Sequence, residues 1–349
     1  MEYKRSIDVA VTRNREFWTG GPSDAVLAKI EVEGHSAFDL WMEVLAPGIC
    51  PDAGQMLRLF EENFRFRACL DDDAIPTARP SFGSSVYGAF FGADVRFGST
   101  GPYARPLLNR IGDFRSLRYD FEGEWLARQL DATRRFVDAG RGRFGVSIVE
   151  TMDNLNLAEN LRGSGVYLEL LDSPRDVLAF FDLALGFNVE LVERQRETIE
   201  PYQDGYFDIH EIWVPDRTVW ISIDAWNLVA PGLFRRLGLP HIQRFIDHFG
   251  SAWLHMHNQG LHLIEDVLTL KGLVGIGLID DPTEPRCFPR LQQIQAAAKG
   301  MPLQINCSCE ELLEGIRAKR LPRNVMYWVD SGVPSLERAD RIMEMVRNY

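Results

Sequence analysis

Nowhere in the 349 residues does an apolar stretch approach the roughly 20 residues that a membrane-spanning helix needs. The start, Met1-Glu-Tyr-Lys-Arg-Ser-Ile-Asp8, lacks the apolar core of a secretory signal. Cysteine is sparse: five residues, an odd number scattered along the chain, make no disulfide framework and suit a reducing compartment. Basic charge is also short, with 38 Lys and Arg against 50 Asp and Glu and a net charge of -12, which argues against a nucleic-acid footprint. The small groups Arg65/Arg67, Arg134/Arg135 and Arg141/Arg143 are read as solvated helix faces. No internal repeat and no low-complexity tract is present, and no G-x-G-x-x-G loop follows a strand-like run to mark a dinucleotide fold. These absences leave a soluble cytoplasmic protein with a small-molecule partner, and neither nucleic acid nor membrane.

What is present is an alternation of strand-like and helix-like segments. From Ser251 the order is an apolar run to Met256, a helical pattern over 261–270, Leu273 to Ile279, a break at Asp281-Pro282, and a helix over 288–299. Pro302 to Asn306, a helix over 309–319, Asn324 to Val329 and a helix over 335–347 follow. Short connections between apolar, non-alternating strands build a buried parallel sheet. Upstream, Arg143 to Glu150 and Thr218 to Asp224 read as strands, while 156–162, 174–199 and 231–249 read as helices. Ser173 is the expected N-cap of the long one, with Pro174 at its first position. Segments 39–45 and 53–67 look helical. Six units are counted, and extrapolation to eight gives an α/β fold, a (β/α)8 TIM barrel forming a single domain over 1–349. An open doubly wound sheet is the alternative. Residues 71–108, rich in Pro, Gly, Ser and aromatics, are expected to be a lid or loop excursion.

Candidate site residues follow from strand ends, where barrels keep their chemistry. His255 and His257 sit two apart at the end of one strand and face the same way, so both reach one ion or one ligand group. Asp224 and Asp280 end two further strands, although N-capping is an equal reading of Asp280. Glu150 precedes Asp153, and one of the two is expected to face the pocket. His210 lies among Tyr206, Phe207, Trp213, Trp220 and Trp226, a density that suits core or a flat ligand. Cys307 and Cys309 offer only a weak metal pair.

The chain resembles the uroporphyrinogen decarboxylase superfamily, which includes cobalamin-dependent coenzyme M methyltransferases. The resemblance rests on Asp73-Ala-Ile-Pro76, Phe82-Gly83, Phe91-Gly92, Leu161-Arg162-Gly163, Asp172-Ser-Pro174, Ile223-Asp224-Ala-Trp226, Leu254-His255-Met-His257, Leu278-Ile-Asp280 and Asp330-Ser331-Gly332, in that order and over nearly the whole chain. It implies a barrel, a homodimer, and a place for Asp73 and Phe82 at the site with Trp226. Two departures stand out. The Arg-Gln-Ala-Gly-Arg clamp for substrate carboxylates has no counterpart here, so a polycarboxylate lacks its bidentate partners. The zinc-binding His-x-Cys and later Cys of the methyltransferases are here His255-Met256-His257 and Asp330-Ser331. His255, His257 and Asp330 then form the expected zinc set, harder and more Lewis-acidic than a thiolate site. The resemblance implies methyl transfer from a corrinoid carried by a partner protein to a small acceptor, with Asp224 and Asp280 positioning or deprotonating it. Alternatives are cofactor-free decarboxylation of a tetrapyrrole-like acid, in which Asp73 or Asp224 would hydrogen-bond pyrrole-type N–H groups, and a non-catalytic barrel that binds a ligand or a corrinoid protein.

Overall fold

The computed structural model describes residues 1–18, 26–36, 40, 43–44, 48–98 and 101–349; most of the helix expected over 39–45 falls outside them. The strands in chain order are β1 (Leu27–Ile30), β2 (Thr77–Ala78), β3 (Val95–Gly98), β4 (Gly101–Ala104), β5 (Gly145–Val146), β6 (Gly205–Phe207), β7 (Trp213–Pro215), β8 (Thr218–Ser222), β9 (Ser251–His257), β10 (Leu273–Ile279), β11 (Leu303–Ser308) and β12 (Val325–Ser331). Six of them form one all-parallel sheet in the order β1-β12-β11-β10-β9-β8. From β8 to β12 each strand neighbours the next in sequence, joined by helical connections, which is the parallel crossover pattern that the alternation predicts.

The continuous sheet stops at six strands rather than eight. At one edge Asp73 N donates to Ala28 O at 2.8 Å, and β2 pairs in parallel with β5. At the other edge Met152 makes a lone parallel bridge to Ser222, and Asp153 N donates to Ser222 O at 3.3 Å. Ser147 still donates to Ala78 O at 3.1 Å and bridges Phe207, but from there to Met152 side chains bond the backbone in place of a ladder. The Gln195 side-chain oxygen accepts from Val149 N at 3.0 Å, and the Thr151 hydroxyl donates to Trp220 O.

The sheet strands are apolar and buried, as expected for a layer covered on both sides. Packing at its centre depends on glycine. Gly277 and Gly275 of β10 lie level with His255 and Trp253 of β9. A Cβ on Gly277 would come within 2.0 Å of the Trp253 ring, and one on Gly275 within 2.2 Å of Trp18. The missing side chains are the space those indoles occupy.

Helix 53–67 forms as its pattern predicts, with the Asp52 carboxylate accepting from Gln55 N at 3.1 Å. Helix 174–196 has Pro174 in its first turn, but the Ser173 side chain makes no capping bond. The stretch 231–249 is helical throughout, with a π-helical segment at Phe234–Gly238. Helices Ile7–Trp18 and Glu124–Gly140 and the β6/β7 hairpin were not anticipated. Segment 71–108 is less of a loose excursion than its composition suggests. It holds a 3-10 helix, Ser84–Phe91, and the β3/β4 hairpin, with Tyr87, Phe90 and Phe91 buried in the main core. No described helix is long and apolar enough to cross a membrane.

Candidate metal centre

At the C-terminal ends of the sheet strands lies a cavity of about 890 Å³. The register explains what converges there. Ser222 of β8 pairs with His255 of β9, and the chain then turns into a 3-10 helix that opens at Asp224 and brings its carboxylate beside His257. Ile279 of β10 pairs with His257, so Asp281 stands just beyond it.

The resulting cluster is compact. His255 Nε2 lies 3.1 Å from His257 Nε2, and Asp224 Oδ1 lies 3.7 and 3.6 Å from the same two nitrogens. Three ligands around a tetrahedral zinc at about 2.0–2.1 Å have mutual separations of roughly 3.3 Å, close to all three distances. Among the described residues these three form the one group of His, Cys, Asp or Glu side chains with metal-ligating separations. The surroundings prepare them for ligation. Asp281 Oδ1 accepts from His257 Nδ1 at 2.9 Å, which fixes the tautomer and turns the Nε2 lone pair towards the cluster. Ser222 Oγ donates to Asp224 Oδ2 at 2.6 Å, leaving Asp224 Oδ1 without a hydrogen-bond partner. Burial, reinforced by the neighbouring His210 and His257, pushes the His255 pKa well below its usual value and keeps that ring a neutral ligand. Desolvation raises Asp224 above the usual carboxylate range despite the nearby His257 and the Ser222 hydrogen bond.

Beneath the imidazoles is an aromatic wall and a buried ionic floor. His255 stacks on Trp220 and on His210, with centroids 5.3 and 5.6 Å apart, and His210 meets the edge of Trp328. Lys29 Nζ lies 4.0 Å over the Trp328 ring, 3.0 Å from Glu211 and 3.6 Å from Glu31. Arg67 joins Glu211 to Asp72, which Lys4 also holds at 2.8 Å. Burial raises the Glu31 pKa, against the pull of Lys29.

The expected site residues fall into two groups. Asp224, His255 and His257 are brought together, and Glu150, His210 and Asp330 line the same cavity. Asp330 does not join the metal cluster, because Asn306 Nδ2 donates to it at 3.0 Å and Arg286 lies 3.6 Å away; Asp224 takes the carboxylate's place beside the imidazoles. Asp73, Phe82, Asp153, Trp226 and Asp280 are not in the cavity wall. Asp73 is wholly buried between Arg13 and Arg347 and accepts from Ala28 N at 2.8 Å, a structural carboxylate. Phe82 packs in a core cluster with Phe60 and Phe136. Asp153 caps helix 154–162 and accepts from the fully buried Trp226 indole; burial lifts its pKa to about 7. Asp280 accepts from Cys287 N at 2.8 Å and pairs with Arg286, so its neighbour Asp281 faces the histidines instead. Cys307 and Cys309 are buried outside the cluster, and burial holds the Cys307 thiol well above its usual pKa. Of the aromatic group around His210, Trp220 alone reaches the cavity. Asp281, Lys29, Glu31 and Trp328 carried no signal in the sequence as site residues; the two-residue offset of Asp281 beyond Ile279 is the one cue available.

No family model and no curated protein matches the chain. Its fold is similar to that of a methyltransferase from Methanosarcina mazei: TM-score 0.68 over 97% of this chain and 98% of that chain, at 14% identity. Identity that low carries the fold and nothing finer.

Proposed function

We propose that the chain is a (β/α)8-barrel enzyme of the uroporphyrinogen decarboxylase superfamily that transfers a methyl group to a small acceptor at a metal site formed by Asp224, His255 and His257. The observation that carries the proposal is the convergence of those three side chains, at zinc-like separations, on the mouth of a deep cavity. The Asp73–Ala28 backbone bond at one sheet edge, the separate β2/β5 pair and the parallel Met152–Ser222 bridge at the other edge support the reading of eight barrel segments. Likeness in fold to a methyltransferase supports the barrel reading, and the reaction class is taken from the resemblance in sequence motifs.

A methyl group moves as a cation equivalent, so the acceptor atom must shed its proton as it bonds to carbon. A zinc ion, when bound, supplies the Lewis acidity that lowers the acceptor's pKa. The chain's own residues set the stage. Asp281 holds the His257 tautomer, Ser222 holds Asp224, and the Trp220 and His210 rings fix the plane of His255. The corrinoid donor is taken to arrive on a partner protein, as the resemblance implies. Decarboxylation of a polyacid is disfavoured by the cavity wall, where among the described residues seven carboxylates face two cationic side chains, Lys29 and Arg79.

The test is single-turnover transfer from methylcobalamin to small thiols, followed by the corrinoid spectrum with zinc-loaded protein. Transfer that falls about 100-fold or more in His257→Ala and Asp224→Asn supports the proposal. Transfer equal in both variants, or none with any acceptor, sinks it.

A further inference from the structure

The cavity wall is far more acidic than the chain. Among the described residues the wall sets seven carboxylates against two cationic groups, compared with 50 to 38 overall. Burial makes that excess a demand for a partner, since a carboxylate taken out of water needs donors or opposite charge. Lys29 is already shared between Glu211 and Glu31, and Arg67 reaches Glu211 at only 3.6 Å from behind. Glu150 is 7% exposed; Ser81 donates to its Oε1 at 2.9 Å, and its Oε2 has no hydrogen-bond partner. Glu211 Oε2, 3% exposed as a residue, is held by ion pairs without a hydrogen bond. The same cavity presents Trp220 and Trp328, and Trp328 already accepts one cation, Lys29, on its face. A buried carboxylate oxygen short of a donor, next to half-buried indole rings of which one already holds a cation, forms a receptor for positive charge.

We propose that the small molecule bound here carries a protonated amine or guanidine, seated against Glu150, Glu211 and the Trp220–Trp328 wall as its recognition handle. The handle is not the reacting atom. This names the substrate class of the site described above and rests on that cavity being the substrate site. Arriving positive charge neutralises Glu150, whose Oε2 the fold leaves without a donor, whereas an anion of the same size meets repulsion from the acidic wall. A sulfonate- or carboxylate-bearing acceptor is therefore selected against by charge before shape is considered.

The experiment uses the full chain stripped of metal with EDTA, so that it is independent of the metal cluster, and compares three ligands of one size. Tyramine is the cation, tyrosol the neutral form and 4-hydroxyphenylacetate the anion, each titrated by calorimetry. The expected result is tyramine tighter than tyrosol by about tenfold, a difference of about 1.4 kcal/mol, with no binding of the acid. That preference shrinks between low and high salt and in Glu150→Gln, which keeps an oxygen for Ser81. The ligand series alone is decisive if the variant does not fold. The acid binding as well as the amine, or the amine not binding, overturns the inference. Amine preference in a chain that never takes up zinc would leave this inference standing and remove the metal-assisted reading; zinc uptake without amine preference would do the reverse.

Discussion

Asp281 is the residue whose role the site geometry makes sharpest. It touches no proposed ligand atom, yet its bond to His257 Nδ1 sets which nitrogen faces Asp224. Asp281→Asn is expected to weaken zinc affinity by roughly 10–100-fold while the fold persists, whereas Asp330→Asn, which alters a carboxylate held by Asn306 and Arg286, leaves it within about threefold. Competition titration with a chromophoric chelator separates the two. Asp153 makes a pH prediction. Its folded pKa of about 7 stands above the ordinary 3.8, so between those values the folded chain keeps a proton that the unfolded chain has lost. Stability therefore falls as pH rises through that window, by at most about 1.4 kcal/mol per unit from this group, and levels off above it. Asp153→Asn should lower stability overall and flatten that slope in urea melts from pH 4.5 to 7; an unchanged slope would contradict the assignment. At this scale the histidine pair was legible because strand period alone puts i and i+2 on one face. Asp73 was not, because Arg13 and Arg347, which neutralise it, lie 60 and 274 residues away in sequence. The choice between Asp280 and Asp281 turns on one residue of register, which flips the face, and composition carries no such information.

Among elements, β10 has the least freedom. Gly277→Ala would drive a methyl group into Trp253, so we expect a loss of about 1–3 kcal/mol by chemical denaturation, with the His255 face displaced and zinc affinity reduced. Gly300→Ala, where no atom lies within 4 Å of a built Cβ but φ is +81°, should cost about 1 kcal/mol through the backbone and leave the site intact. The strands from β8 to β12 were visible as apolar runs between helical patterns, since burial on both faces removes alternation. Arg143 to Glu150 was visible as a strand, but not that its ladder ends at Ser147, beyond which the Gln195 and Thr151 side chains bond the backbone. Segment 71–108 misled by composition: Phe90 and Phe91 mark core packing there, and the Pro and Gly residues shape turns around it.

At the level of the whole molecule, the sheet and the buried ionic floor hold a cavity whose wall carries the imidazole and carboxylate cluster together with Glu150, one of whose buried oxygens has no hydrogen-bond partner. Two imidazoles and one carboxylate suit a borderline divalent ion, and binding only to the folded chain must raise its stability by mass action. With zinc at 100 times its dissociation constant, the gain is about 2.7 kcal/mol, absent from His255→Ala. The reading of the site, and the reaction proposed for it, rest on that ion. The measurement that tests it most directly is elemental analysis of the purified, tag-free protein beside His255→Ala and His257→Ala. The account predicts close to one zinc per chain in the parent and a near-complete loss in each variant that still folds. Zinc retained by both variants, or none in a parent dialysed against the metal, would contradict it.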